Sequence, residues 1–272
     1  MNSKIKELFP AWVNDNEEKY DLVLSDDVDS LVSCALLNKV KGYKINYFYN
    51  FENIYDISEE SNNPAIAVDC DLIKGRCWSN HVTMLSVKDS VNPKSANLNN
   101  ILKISRDNYF EKFCGSTAIQ IWSYYDLPLP ETEEGKMALL AIDVGFKGHY
   151  DSRFIEVHSK YLNMLGFPQL IEVLKRHTRD EFYDLMKKYN MMGKIKLNKD
   201  KIITTNIDVV NLQRLFNLDL SRPSKEPLHI VREFKRASTN LISYKTYTKD
   251  DFTDLFSLAL TYKNKFESTK IK

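Results

Sequence analysis

Short apolar runs alternate with longer helical patterns in the first half of the chain, and this alternation limits the folds that the chain can adopt. Short apolar runs are typical of strands that are buried on both faces of a sheet. Strands that alternate with helices indicate a parallel sheet with helices on its faces. The predicted strands are 21–25, 44–50, 65–68 and 76–79, and the predicted helices are 30–42, 115–125 and 131–142.

The pattern changes after about residue 150, where helical stretches are followed by a mixture of strands and helices. The predicted helices are 152–165, 168–190, 207–217 and 250–266, and the predicted strands are 201–206, 229–234 and 241–247. We therefore expect an α/β protein with two domains. Residues 1–150 would contain a mostly parallel sheet flanked by helices, and residues 151–272 would form a second, smaller α+β domain.

The two halves of the chain carry opposite net charges. Residues 1–159 contain 16 Lys and Arg against 24 Asp and Glu, which gives −8, and residues 160–272 contain 22 against 13, which gives +9. An acidic half can hold cations and a basic half can hold phosphates, so the pattern fits a polyanionic substrate that is handled with a metal. It fits equally well two halves that simply attract each other.

The composition is that of a globular protein, with 43% apolar and 28% charged residues. No run approaches the roughly 18 apolar residues of a membrane helix, and Lys6 and Glu7 precede any apolar stretch that resembles a signal peptide. The four cysteines form no CxxC pair, which argues against a zinc finger. We therefore expect a cytoplasmic protein that does not bind membranes.

Acidic residues directly follow two of the predicted strands. The segment SDDVDS contributes Asp26, Asp27 and Asp29 after the first strand, and Asp69 and Asp71 follow the run AIAV. Ligands of open α/β sheets bind at the carboxyl ends of the strands. Carboxylates this close repel one another unless they share a cation.

Two more polar motifs come later in the same half of the chain. A short predicted strand ends in SNH, which contains Asn80 and His81, and the apolar stretch ALLAI is followed by Asp143. Divalent ions such as Mg²⁺ and Mn²⁺ bind carboxylate oxygens, and Mn²⁺ also accepts an imidazole ligand. The motifs together predict a divalent metal site.

In this order the motifs resemble those of the DHH phosphoesterase superfamily, and the resemblance covers residues 1–150. DVDS is similar to the family's first motif, Asp69 to its second, SNHV to the DHH triplet and Asp143 to its fourth. The family includes RecJ-like single-strand nucleases, phosphodiesterases of short oligonucleotides and cyclic dinucleotides, and inorganic polyphosphatases. The resemblance therefore implies metal-dependent phosphoester hydrolysis.

The resemblance also implies one or two Mn²⁺ ions, with Mg²⁺ as the alternative. One ion would be held by Asp27 and Asp69. Asp69 would also bind the other ion and so bridge the two. The ligands of that other ion would be Asp29, Asp69, His81 and Asp143. These five residues are the predicted catalytic and metal-binding residues.

The chain departs from the family pattern at several positions. Val23 stands where the family has a further ligand of the first ion, and Asp26 or water would have to replace it. Asn80 and Val82 replace the aspartate and the second histidine of the DHH triplet. We expect Asn80, Asp26 and Asp71 to lie beside the metal ligands and to support them.

Single-stranded nucleic acid or short oligonucleotides are the expected substrates. The predicted substrate-binding residues are Lys147 and His149, which follow Asp143, together with Arg232, Lys235 and Arg236 of the basic half. One alternative is the hydrolysis of a small phosphoanhydride or a cyclic dinucleotide. The other is a protein that binds nucleotides or nucleic acid without catalysis.

Overall fold

The structure is a computed structural model that describes residues 1–57, 61–221 and 223–272. The strands are β1 (Asp21–Leu24), β2 (Lys44–Tyr49), β3 (Asn53–Asp56), β4 (Ala65–Val68), β5 (Arg76–Trp78), β6 (Ser95–Ala96), β7 (Ile195–Leu197), β8 (Ile203–Thr205), β9 (His229–Asn240), β10 (Leu255–Tyr262) and β11 (Lys265–Ile271). The helices are α1 (Ser3–Lys6), α2 (Val28–Lys41), α3 (Leu98–Ile101), α4 (Thr117–Tyr124), α5 (Glu133–Ala141), α6 (Ile155–Met164), α7 (Pro168–Arg176), α8 (Arg179–Lys188) and α9 (Val209–Phe216). Short 3-10 helices cover Ala11–Asn14, Tyr109–Glu111, Ile142–Tyr150 and Lys249–Asp251, and a kink at Asp143 and Val144 interrupts the third of them. Among the described residues, none of these helices combines the length and the apolar composition that a membrane span requires.

Within the described ranges, nine strands form one sheet in the order β10-β11-β9-β3-β2-β1-β4-β5-β6, and β7 and β8 form a separate pair. The side from β2 to β6 is parallel. The side from β2 to β10 is antiparallel. The α/β class is confirmed, but the sheet is mixed rather than mostly parallel, because β3 pairs antiparallel with β2 and the C-terminal strands β9, β11 and β10 continue the sheet in antiparallel pairs.

The last segment of the chain corrects the predicted helix at 250–266. Its apolar residues instead belong to the antiparallel hairpin β10–β11, in which Leu258 and Leu260 are both buried. Residues 263–264 form the two-residue turn, since Tyr262 pairs with Lys265. The segment 241–247 is not a strand either, because it is a mostly exposed turn region before the hairpin.

Small polar side chains join the ends of β1 and β4. Ser30 donates from Oγ to the carbonyl of Val68, at the end of β4, over 2.9 Å. The same hydroxyl accepts the backbone N–H of Ser25, just after β1, over 2.7 Å. Because Ser30 lies in the first turn of α2, this arrangement brings the acids after β1 and β4 to one edge of the sheet.

Strands from the two halves of the sequence meet in the sheet. β9 pairs with β3 from Asn53 opposite Glu233 to Asp56 opposite His229. The division of the chain into two domains near residue 150 stays a prediction, but the sheet itself continues from the N-terminal half into the C-terminal half.

Candidate metal centre

Three of the predicted metal ligands converge. Asp29, Asp69 and Asp143 each place a carboxylate oxygen within 4.8 Å of the other two. They come from three separate places in the chain: the first turn of α2, the residue after β4, and the 3-10 segment that follows α5. We call these three residues the acidic cluster.

Asp29 is fully buried and is held by the N-terminus of α4. Its two carboxylate oxygens accept the backbone N–H groups of Thr117 and Ala118, both over 2.7 Å. The hydroxyl of Ser33 donates to the same carboxylate over 3.3 Å. Helix N-termini favour negative charge, so this contact fixes the carboxylate and partly stabilises its ionised form.

Asp69 and Asp143 both have left-handed backbone conformations, with φ of 57° and 54°. Val144 also has φ of 51°, which is rare for a β-branched residue. Asp69 accepts a hydrogen bond from the hydroxyl of Thr117 over 2.9 Å. Strained backbone of this kind persists where surrounding contacts hold it, and here it directs two carboxylates towards one point.

The acidic cluster is electrostatically strained. Burial raises the pKa of Asp29 well above its usual range, and the charges of Asp143 and Asp27 raise it further. Burial and then the charges of Asp29, Asp27 and Asp143 likewise raise the pKa of Asp69. The pKa of Asp143 is raised by burial and by Asp27, although His81 counteracts this. A divalent cation would relieve this repulsion.

Asn80 connects the acidic cluster to the loop before α4. Its Nδ2 donates to Asp143 over 2.8 Å and to the carbonyl of Gly115 over 3.0 Å. An aspartate at this position would have no amide hydrogen to donate, so Asn80 suits the neighbouring carboxylate. The side-chain oxygen of Asn80 is buried and has no hydrogen-bond partner among the described residues.

His81, whose side chain is 34% exposed, pairs with the buried Asp71 beside the acidic cluster. Its Nδ1 lies 2.9 Å from Asp71 Oδ2. Burial lowers the pKa of His81, but the charge and hydrogen bond of Asp71 outweigh it and raise the pKa to about 9. The imidazole is therefore doubly protonated at neutral pH without a metal, and a cation bound at Nε2 would displace the proton there while Nδ1–H keeps facing Asp71. A carboxylate in this position commonly orients histidine ligands of metals.

Asp26 and Asp27 interact with a lysine. Lys194 places Nζ 2.9 Å from Asp26 Oδ1 and 3.2 Å from Asp27 Oδ2. The backbone N–H of Ile195 donates to the carbonyl of Asp26 over 2.7 Å, which fixes this approach. Asp27 also caps α2 by accepting the N–H of Ser30 over 3.3 Å. An ammonium group therefore contacts Asp27, which the resemblance assigns to the first ion.

Two cavities adjoin the acidic cluster, and both include His81 and Asp143. The first, which we call the cluster cavity, has a volume of about 290 Å³, and its charged lining residues are Asp26, Asp27, Asp69, Asp71, His81, Asp143, Lys194, Arg236 and Glu267. The second, which we call the aromatic cavity, has a volume of about 480 Å³, and its lining includes Asn80, His81, Tyr109, Phe110, Lys112, Phe113, Asp143, Lys147, Asp151 and Phe154.

The predicted substrate-binding residues separate into two groups. Arg236 lines the cluster cavity and Lys147 lines the aromatic cavity. His149, Arg232 and Lys235 line neither of them. Lys235 directly precedes Arg236 on β9, and alternation along the strand turns the two side chains to opposite faces of the sheet.

Sequence reasoning missed several residues around the acidic cluster. The segment CGSTA indicates the start of a helix, but nothing in it shows that Thr117 would donate to two different aspartates. Lys194 lies in the lysine-rich segment KIKLNKDK, and no recognisable motif distinguishes it from the lysines that follow. The aromatic residues Phe110 and Phe154 are far apart in the sequence, so their contact depends on the fold.

No protein-family model matches this chain, and no curated protein or solved structure shows significant similarity to it. The resemblance to the DHH phosphoesterases therefore rests on the motifs alone and stays a prediction.

Proposed function

We propose that the chain is a metal-dependent phosphoesterase that hydrolyses phosphodiester bonds in single-stranded nucleic acid or short oligonucleotides. The observation that carries the proposal is the convergence of Asp29, Asp69 and Asp143 within 4.8 Å. The motif order that resembles the DHH phosphoesterases supports the same function. Mn²⁺ is the preferred ion, with Mg²⁺ as the alternative.

The residues present fit a divalent cation. Asp29, Asp69 and Asp143 supply hard oxygen ligands. His81 lines the cluster cavity together with Asp69 and Asp143, and its Nδ1 contacts Asp71. Asn80 adds a buried side-chain oxygen that lacks a hydrogen-bond partner among the described residues. When bound, such a cation polarises a phosphoryl oxygen and lowers the pKa of a bound water molecule.

The protein also supplies positive charge for a phosphate. Lys194 and Arg236 belong to the basic half of the chain, and both line the cluster cavity with the carboxylates of the acidic half. A phosphodiester in this cavity would lie between the acidic cluster, with its cation, and these two side chains. This placement neutralises negative charge on the phosphate and orients it for attack by water.

The substitution Asp69→Asn tests the proposal. It preserves the shape of the side chain and an oxygen that can accept the Thr117 hydroxyl, but it removes one of the three converging charges. We expect the loss of Mn²⁺-dependent hydrolysis. We also expect a higher melting temperature in chelator, because less repulsion remains in the cluster. A higher melting temperature together with lost activity would exclude misfolding as the cause.

The assay uses labelled single strands, dinucleotides, cyclic dinucleotides and pyrophosphate, each with Mn²⁺ and with chelator. Asp200→Asn, at an exposed loop aspartate, is the matched control and should behave like the wild type. Full activity of Asp69→Asn would contradict the proposed centre. Hydrolysis of pyrophosphate or cyclic dinucleotides alone would contradict the proposed substrate, and binding of Mn²⁺ and single strands without turnover would show a non-catalytic protein.

A further inference from the structure

The aromatic cavity lies directly beside the acidic cluster. Asp143, one of the three aspartates of the cluster, forms part of its lining together with Asn80 and His81, so a molecule in this cavity would contact the cluster at Asp143. Its volume of about 480 Å³ falls within the range of small-molecule sites, which is roughly 300–1,000 Å³. This volume suits a single nucleoside better than a stacked run of bases.

Aromatic side chains form one wall of this cavity. The rings of Phe110 and Phe154 are stacked, with centroids 5.8 Å apart and planes at 29°. Phe110 is 56% exposed, so the apolar core does not account for its position. Tyr109 and Phe113 are buried and line the same cavity. Nucleobases stack on aromatic surfaces of this kind because every base has a flat π face.

Cations surround the aromatic wall. Lys112 and Lys147 line the cavity, and Nζ of Lys263 lies 5.3 Å from the centre of the Phe110 ring. Two carboxylates also line the cavity. Asp143 belongs to the acidic cluster, where the proposed cation would offset its charge, and the two oxygens of Asp151 accept hydrogen bonds from the guanidinium of Arg153 over 3.0 and 2.7 Å. The charge around the cavity therefore favours an anionic ligand with an aromatic part.

We propose that the aromatic cavity binds the base of the nucleotide whose phosphodiester is cleaved at the acidic cluster. The base packs on the wall of Phe110 and Phe154, and Lys112 and Lys147 contact phosphate or the polar edge of the base. This inference rests on the proposed function and adds to it a substrate class: the end of an oligonucleotide, recognised through one base. It accounts for a cavity that the acidic cluster and the cluster cavity leave without a role.

Phe110→Ala tests the inference, and because Phe110 is exposed the substitution leaves the apolar core intact. The assay compares a labelled oligonucleotide that has all its bases with strands that lack the terminal base. One such abasic strand lacks the base at the 5′ end, and another lacks it at the 3′ end. For the base-bearing strand we expect kcat/KM to fall by about 5- to 150-fold, mainly through KM, as loss of one base stack predicts. For the abasic strand we expect no change. Tyr244→Ala, at a side chain 90% exposed and outside both cavities, is the control.

A binding measurement in chelator tests the inference separately from hydrolysis. Oligonucleotides with 2-aminopurine at either end should change fluorescence on binding to the wild type, and Phe110→Ala should weaken this binding by the same factor. An equal loss of kcat/KM for both kinds of strand, or unchanged 2-aminopurine binding, would overturn the base site. If no strand is hydrolysed, the proposed function fails, and the fluorescence measurement still decides whether the cavity binds a base.

Discussion

Tyr49, the last residue of β2, contacts the C-terminal hairpin through its hydroxyl group. The hydroxyl donates to Thr269 Oγ1 on β11 over 2.7 Å. Thr269 Oγ1 lies 2.7 Å from Ser257 Oγ on β10. All three side chains are buried. Because Ser257 and Thr269 line the cluster cavity, this chain of hydroxyl groups joins one wall of the cavity to the central sheet.

The expected costs of substitution follow from which hydroxyl groups lose a partner. Tyr49→Phe removes one neutral hydrogen bond and leaves Thr269 paired with Ser257, so we expect the free energy of unfolding to fall by about 0.5–1.5 kcal/mol. Thr269→Val leaves the hydroxyls of both Tyr49 and Ser257 buried without this partner. Each of the two should lower the free energy of unfolding by about 1–3 kcal/mol. The double variant removes the Tyr49 hydroxyl as well, so its cost should be smaller than the sum of the two single costs.

Urea denaturation followed by circular dichroism measures these free energies, and the four proteins form a double-mutant cycle. We expect the double variant to be about 1 kcal/mol more stable than the two single changes would predict if they were independent. Costs that add to within about 0.5 kcal/mol would refute the contact and the docking of the hairpin that depends on it. Tyr244→Phe, which removes an exposed hydroxyl, should leave stability unchanged.

Three further predictions concern charged and titratable groups. Lys194→Met should bind Mn²⁺ more tightly in a titration, because it removes positive charge near the acidic cluster. The Lys194 side chain is 56% exposed, so the loss of its two ion pairs should lower the free energy of unfolding by no more than about 2 kcal/mol. Asp71→Asn should weaken Mn²⁺ binding about 10- to 100-fold, since it removes the carboxylate that orients His81. Burial lowers the pKa of His158, and the nearby His149 lowers it further. As the pH falls through about 6.5, His158 therefore takes up a proton in the unfolded chain before it does so in the folded protein, and acid favours the unfolded chain. The free energy of unfolding should fall more steeply below this pH for the wild type than for His158→Gln.

The strands and acids of the first half could be predicted because local patterns determine them. Four buried residues in β1 and the apolar run of β4 read as strands without any knowledge of their neighbours. The helix end at Gly42 was also predictable and is confirmed, with φ of 70° at that residue. Once these elements are placed, the topology of a parallel sheet brings Asp29 and Asp69 to the same edge.

The errors arose where one apolar pattern fits two structures. Phe252, Leu255, Phe256 and Leu260 suit a helical face as well as a strand, and the deciding signal was the turn at 263–264, which contains Asn264. The predicted helix 168–190 likewise divides into α7 and α8, because Thr178 and Glu181 form a capping box that starts a new helix. Short motifs of this kind outweigh periodicity over a longer window.

The site was predictable as a set of acids but not as an arrangement of contacts. Strand-end positions indicated Asp29 and Asp69, the end of a predicted helix indicated Asp143, and the three do converge. The pairing of Asp27 with Lys194 depends on the backbone hydrogen bond from Ile195, the first residue of β7, to Asp26, and these residues are far apart in the sequence. No local pattern specifies such a contact, and the same holds for the stacked rings of Phe110 and Phe154.

The pairing of β3 with β9 affects how the protein can be dissected experimentally. A fragment that stops near residue 150 would retain β3 and β2 but lose β9, the partner of β3 on its other side. The N–H and C=O groups of β3 that face β9 would then be left unpaired at the edge of the sheet. Open edges of this kind recruit strands from other molecules, and the fragment would tend to self-associate. It would also lack Lys194 and Arg236. Biochemical work on the acidic cluster therefore calls for the intact polypeptide.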